Sequence, residues 1–243
     1  MKIVSELFKP GRRDLTLVRA YYFSFMGGWG FILPFMNLFY VSLGLSGKQI
    51  GSFASLSALV GLVMAPLWVT QTKKQPHPGR FLQLALALGA LAYLLVANQT
   101  SFWPIAVIVF FQALVSAGIS PMSDALALNV ARAADTGYGS VRVWASVGWI
   151  ISVLISGRLI ERLGFKIGFL GTAGGFVAAV ALLFFINPRQ FASQAAFDQP
   201  KTSLRVAASR IFQDRTLLGF ALALVFIGFL NSGVLQFETV FLS

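Results

Sequence analysis

The sequence predicts an all-α integral membrane protein: a bundle of six transmembrane helices followed by a seventh. Three observations carry that class. Apolar residues make up 57% of the chain and charged residues only 11%, against about 25% charged in an ordinary soluble domain. Long uncharged runs recur, at Ala20–Gly47, Gln49–Thr72, Phe81–Ser123, Ile167–Asn187 and Thr216–Phe237, and a membrane helix needs about 20 apolar residues. Finally, the basic residues fall in the short segments between the runs, and mostly on one side of the membrane.

Taken in order, residues 1–16 are polar and basic, with Lys2, Lys9, Arg12 and Arg13. The apolar run that follows is too long for a cleaved signal peptide, and no small-residue cleavage pattern ends it. The first span is expected over about Leu17–Val41. It contains Gly27, Gly28, Gly30 and Pro34; small residues allow close helix approach, and proline loosens the backbone. The second span covers about Gln49–Gln71. The loop TKKQPHPGR turns the chain, and its lone His77 reads as a solvated imidazole rather than a metal ligand. The third and fourth spans cover about Phe81–Ala97 and Phe102–Leu128, separated by the polar break Asn98–Ser101. The fifth runs over about Tyr138–Ile160 and the sixth over about Phe165–Ile186. Residues 1–187 thus form the bundle. Residues 188–215 form a polar linker in which Leu204, Ala208 and Ile211 recur at helical spacing, as in a short surface helix. Residues 216–243 hold the seventh span. The chain ends on Phe241-Leu242-Ser243 with no polar tail, which reads as an interruption.

Counting Lys and Arg by side gives fifteen with the N-terminus and four opposite. The N-terminus is therefore expected in the cytoplasm, in a plasma (inner) membrane. A net charge of +11 could suggest nucleic acid, but charges in loops orient a membrane protein and do not form a phosphate-binding surface. No cysteine is present, so thiol chemistry is excluded. No nucleophile–base set or metal cluster suggests an enzyme.

Asp124 and Arg142 are the exceptional residues. A charge near the bilayer centre costs about 2.5–3.5 kcal/mol on insertion scales. With a hairpin centred near Ala133, each lies nine residues from the turn. That puts a carboxylate and a guanidinium at similar depth, where they can pair. Trp149 follows Arg142 by two helical turns, on the same face, and Ser120 lies one turn from Asp124. Together they can bind a polar molecule with an apolar face, such as a sugar, a nucleoside or an aromatic acid. The alternatives are a purely structural ion pair, and packing roles for Trp149 and Ser120. Glu238, near the outer end of the seventh span, is either interfacial or a coupling residue.

These residues resemble a known family. LGLSGKQIGSFASLSALVGLVMAPL is similar to the first helix junction of the major facilitator superfamily. PMSD, the eighteen-residue step from Asp124 to Arg142, and RVWASVGW resemble the lactose permease-like branch, the oligosaccharide:proton symporters. The phenylpropionate- and nucleoside-permease branches share much of that framework. The resemblance implies the N-terminal half of a major facilitator fold plus its seventh helix. It implies sugar-binding roles for Asp124, Arg142 and Trp149, with aspartate where the family carries glutamate. Val69 and Lys73 stand where the family's loop glycine and aspartate would be, and Asn231 and Val234 stand near its seventh-helix acids. The implied function is secondary active transport, a proton symport of a sugar or similar small polar or aromatic solute, by a truncated chain. The proton gradient would be the driving force, without a cofactor. The implied partners are the lipid bilayer, the solute, and a missing C-terminal half or complementing chain. The competing reading is a non-transporting truncated or accessory membrane protein with a structural Asp124–Arg142 pair.

Overall fold

The computed structural model describes residues 10–73 and 77–191 and, further on, 213, 214, 216–220, 222, 223 and 226. The chain divides into two compact units, Met1–Ser193 and Gln194–Ser243. The first contains helices α1 (Pro10–Ile32), α2 (Met36–Ser42), α3 (Gly47–Lys73), α4 (Pro78–Val96), α5 (Phe102–Ser116), α6 (Ile119–Ala133), α7 (Gly139–Leu163) and α8 (Lys166–Phe185). These make six helical stretches long and apolar enough to cross a membrane, Arg12–Ser42, Gly47–Trp68, Pro78–Val96, Phe102–Ala133, Gly139–Leu163 and Lys166–Phe185. Helices are what apolar runs must form in lipid, where every backbone polar group has to be satisfied within the segment. In the second unit, the Asp214 carboxylate accepts the Thr216 amide at 2.8 Å and caps the helical residues 216–220. The expected surface helix and most of the seventh span lie outside the described residues.

The first span is the axis of the bundle. Gly27 and Gly30 face Gly148, Trp149 and Ser152 of α7, while Gly28 faces Thr172, Gly175 and Phe176 of α8. The approach is close enough to exclude side chains. A β-carbon at Gly30 would come within 2.9 Å of the Trp149 carbonyl, one at Gly175 within 2.5 Å of the Gly28 Cα, and one at Gly148 would collide with the Phe23 carbonyl. Backbones this near gain dispersion contact along the interface, which is what holds helices together in lipid. Beside this seam Phe25, Trp29 and Phe176 form an aromatic cluster with centroid separations of 4.7–6.0 Å.

Two spans are interrupted close to a proline. Pro34 has no amide hydrogen for the Gly30 carbonyl, and the helix gives way to a 3-10 turn at Leu33–Phe35. The Ser156 hydroxyl of α7 shares its hydrogen between the Val153 carbonyl of its own helix at 3.2 Å and the Gly30 carbonyl at 3.4 Å. The fourth span breaks at Ala117-Gly118, four and three residues before Pro121. The Trp68 indole N–H donates to the Leu114 carbonyl at 2.6 Å, and its ring lies over Gly118, where a β-carbon would come within 2.8 Å. The sequence predicts neither break as a separate helix boundary.

The fourth span also runs to Ala133, five residues beyond the expected end at Leu128. The tail NVARA continues the apolar face, with Asn129, Val130 and Ala131 buried. The Asn129 amide donates to the Gln190 carbonyl at 2.9 Å, and Phe191 packs on Gly79. Buried Asp14 accepts the Asn187 amide at 3.4 Å. The segment after α8 is thereby tied to the ends of spans one, three and four.

The glycine seam gives a stability prediction. Gly148→Val should lower the thermal stability of the purified chain by about 2 kcal/mol or more, the scale of overpacking a tight contact. Gly174→Val, at an exposed position with nothing within 4 Å, should leave it nearly unchanged in the same detergent melt.

Candidate solute site

Asp124 stands on α6, three residues past the proline that breaks the span. It is half-buried. Its Oδ1 accepts the Tyr22 hydroxyl at 2.7 Å and the Tyr138 hydroxyl at 2.8 Å. Tyr22 projects from α1 and is buried; Tyr138 immediately precedes α7. Burial first, and then the bond to the Asp124 carboxylate, push the Tyr138 phenol above its ordinary range. It therefore stays protonated, as a donor must.

Arg142 lies in the first turn of α7. Its guanidinium carbon sits 5.6 Å from the centroid of the Tyr22 ring, a cation–π distance, and within reach of the Tyr138 hydroxyl. The two tyrosines thus connect the carboxylate to the guanidinium, and among the described residues no direct ion pair joins Asp124 to Arg142. The helix ends explain this. Asp124 is nine residues inside the end of α6 at Ala133, but Arg142 is only three inside the start of α7 at Gly139. Counted from the helix ends the two residues are offset by six positions, and the phenols lie between the charges. The turn is not centred on Ala133 as expected: α6 runs through that residue, and the connector lies at 134–138.

Trp149 lies two turns further along α7, half-buried, its backbone against Gly30. Ser120 is one turn before Asp124 and exposed. The buried hydroxyl nearby is Ser123, which donates to the Ile119 carbonyl at 2.6 Å and lies 2.6 Å from the Tyr21 hydroxyl. Glu238 lies outside the described residues.

Sequence reasoning missed Tyr22 and Tyr138. Their signal was present: paired Tyr21-Tyr22 are polar-tipped side chains inside an apolar run, and Tyr138 sits in the connector that brings Arg142 to Asp124. Chemically, the site offers a carboxylate with one oxygen occupied, a guanidinium held on an aromatic face, and phenol hydroxyls able to exchange partners. Hydroxyl and carboxylate groups of a small molecule match these donors and acceptors.

Comparison with known proteins agrees with this architecture. The chain is 29% identical over 168 residues to a maltose permease of Geobacillus stearothermophilus, matching 69% of this chain and 43% of that protein. It is 29% identical over 175 residues to a probable 3-phenylpropionic acid transporter of Escherichia coli strain K12, matching 69% of this chain and 44% of that protein. The chain therefore spans less than half the length of the relatives it matches. The solved structure of the nucleoside transporter NupG shares its fold, with a TM-score of 0.74 at 16% identity, covering 94% of this chain and 57% of that one. The model of the MFS_1 like family matches residues 15–243. This chain is a multi-pass membrane protein that belongs to the MFS_1-like family of major facilitator transporters, and not an enzyme.

Proposed function

We propose that this chain carries the solute-site half of a secondary active transporter, a proton symporter for a sugar or a similar small polar or aromatic solute. The observation that carries the reading is the Asp124 carboxylate held by Tyr22 and Tyr138 beside Arg142. Such a cluster is expensive inside apolar helices and is characteristic of a functional position. The relatives' names support a transporter and range from a sugar to an aromatic acid, which favours a site able to meet both polar and ring surfaces. Trp149 supplies a ring for stacking and Ser120 an exposed hydroxyl on the Asp124 side of α6. Glu238 is the candidate for coupling. The half-fold would rock against a second half, from the same polypeptide or a complementing one, around this site. The distribution of basic residues supports an N-terminus in the cytoplasm and insertion in the plasma (inner) membrane.

The competing reading makes Asp124 and Arg142 a structural ion pair in a non-transporting protein. The tyrosine-bridged arrangement favours it less than a direct pair would.

Binding separates the two. Asp124→Asn should insert and remain folded but weaken solute binding about tenfold or more, the usual scale for losing a hydrogen bond to a charged group. Unchanged affinity with lowered thermal stability would instead support the structural reading. Tyr138→Phe removes one bridge, and the ligand-induced change in Trp149 fluorescence should shrink while the variant's melting temperature moves little. A full response in that variant would argue against the bridged site.

A further inference from the structure

We propose that the transported solute bears a carboxylate, received jointly by Arg19 and Arg142. The inference rests on the solute-site reading and narrows it.

Arg19 lies on α1, one turn before Tyr22, and is half-buried. Its Nε donates to the Ser140 carbonyl at 3.2 Å and its Nη2 lies 3.3 Å from the Ser140 hydroxyl. Ser140 is two residues after Tyr138 and two before Arg142. Its hydroxyl lies 3.1 Å from that of Thr136, which fixes the anchor. Arg19 is therefore pinned to the same first turn of α7 that carries Arg142, and both flank Tyr22.

The charges at this end do not balance. Both Arg19 bonds end on uncharged oxygens. Arg142 rests on a ring and beside a phenol. Among the described residues neither guanidinium is paired with a carboxylate, and Asp124, the acid of the cluster, already accepts two phenol hydrogens on one oxygen. Arg132 and Asp135, at the end of α6 and in the connector, are exposed, where water and salt screen them. Two partly desolvated cations are thus anchored at the first turn of α7, and the cluster beside them holds one carboxylate, Asp124. An uncompensated charge out of water is costly, so a bound monoanion removes a penalty that a neutral solute leaves in place. The planar guanidinium forks suit the two oxygens of a carboxylate. The substrate class is then small carboxylates, aromatic acids and uronic acids among them, in preference to neutral sugars.

Two matched pairs test this on the 243-residue chain in lipid nanodiscs, by titrating its intrinsic tryptophan fluorescence. The probes are 3-phenylpropionate against 3-phenylpropionamide, and glucuronate against glucose. At least one acid should bind about tenfold or more tightly than its neutral partner. Arg19→Gln should bring that ratio near one while sparing the neutral partner, and Arg19→Lys should keep part of it. Equal binding of acid and neutral probes overturns the inference and leaves a solute site standing. A ratio that survives Arg19→Gln overturns the role of Arg19 and with it the proposal. No response to any of the four probes by a folded chain, judged by its melting transition, overturns both the solute-site reading and this one.

Discussion

The bundle depends on one constraint: α1 must lie against α7 and α8 at backbone distance. Lipid gives no hydrophobic reward for helix association, so the attraction has to come from dispersion and hydrogen bonds between closely fitted surfaces. Gly27, Gly28 and Gly30 on one helix, and Gly148 and Gly175 on the others, provide that fit. No side chain larger than hydrogen is compatible with it at Gly148 or Gly175.

The candidate site inherits its geometry from this seam. Tyr22 and Arg19 are on α1, and Tyr138, Ser140 and Arg142 are at the start of α7. Clamping those two helices brings the Tyr22 and Tyr138 hydroxyls onto the Asp124 carboxylate of α6, Arg142 onto the Tyr22 ring and Arg19 onto Ser140. Tyr21, neighbouring Tyr22, is fixed by Ser123 and stacked on Phe25 at 5.8 Å, so the pair is set from the inside. The polar groups are held by an apolar scaffold that leaves them little freedom, which is how a binding site minimises the ordering cost of capture.

Much of the fold was legible in the sequence, because in a membrane the apolar run is itself the structural unit. Asp124 and Arg142 were legible as residues, since charge in such a run is conspicuous. What the sequence did not disclose was how the two charges meet. Residue counting placed Asp124 and Arg142 level because it centred the turn on Ala133. The helix instead runs through Ala133, driven by burial of Asn129, Val130 and Ala131. The tyrosines were overlooked for a related reason: apart from their hydroxyls they read as apolar. Ser123, whose hydroxyl is buried against Tyr21, was not singled out, because a serine inside an apolar run carries no charge to mark it.

The proline breaks have a mechanical meaning. A helix that loses a backbone bond usually becomes a soft joint, free to flex by itself. Here each joint is stapled by a neighbour. The Gly30 carbonyl is held by Ser156 from the fifth span, and the Leu114 carbonyl by Trp68 from the second. Bending the first span therefore loads the fifth, and bending the fourth loads the second. Each of these two proline breaks is therefore also a point of contact between spans, the first with the fifth and the fourth with the second.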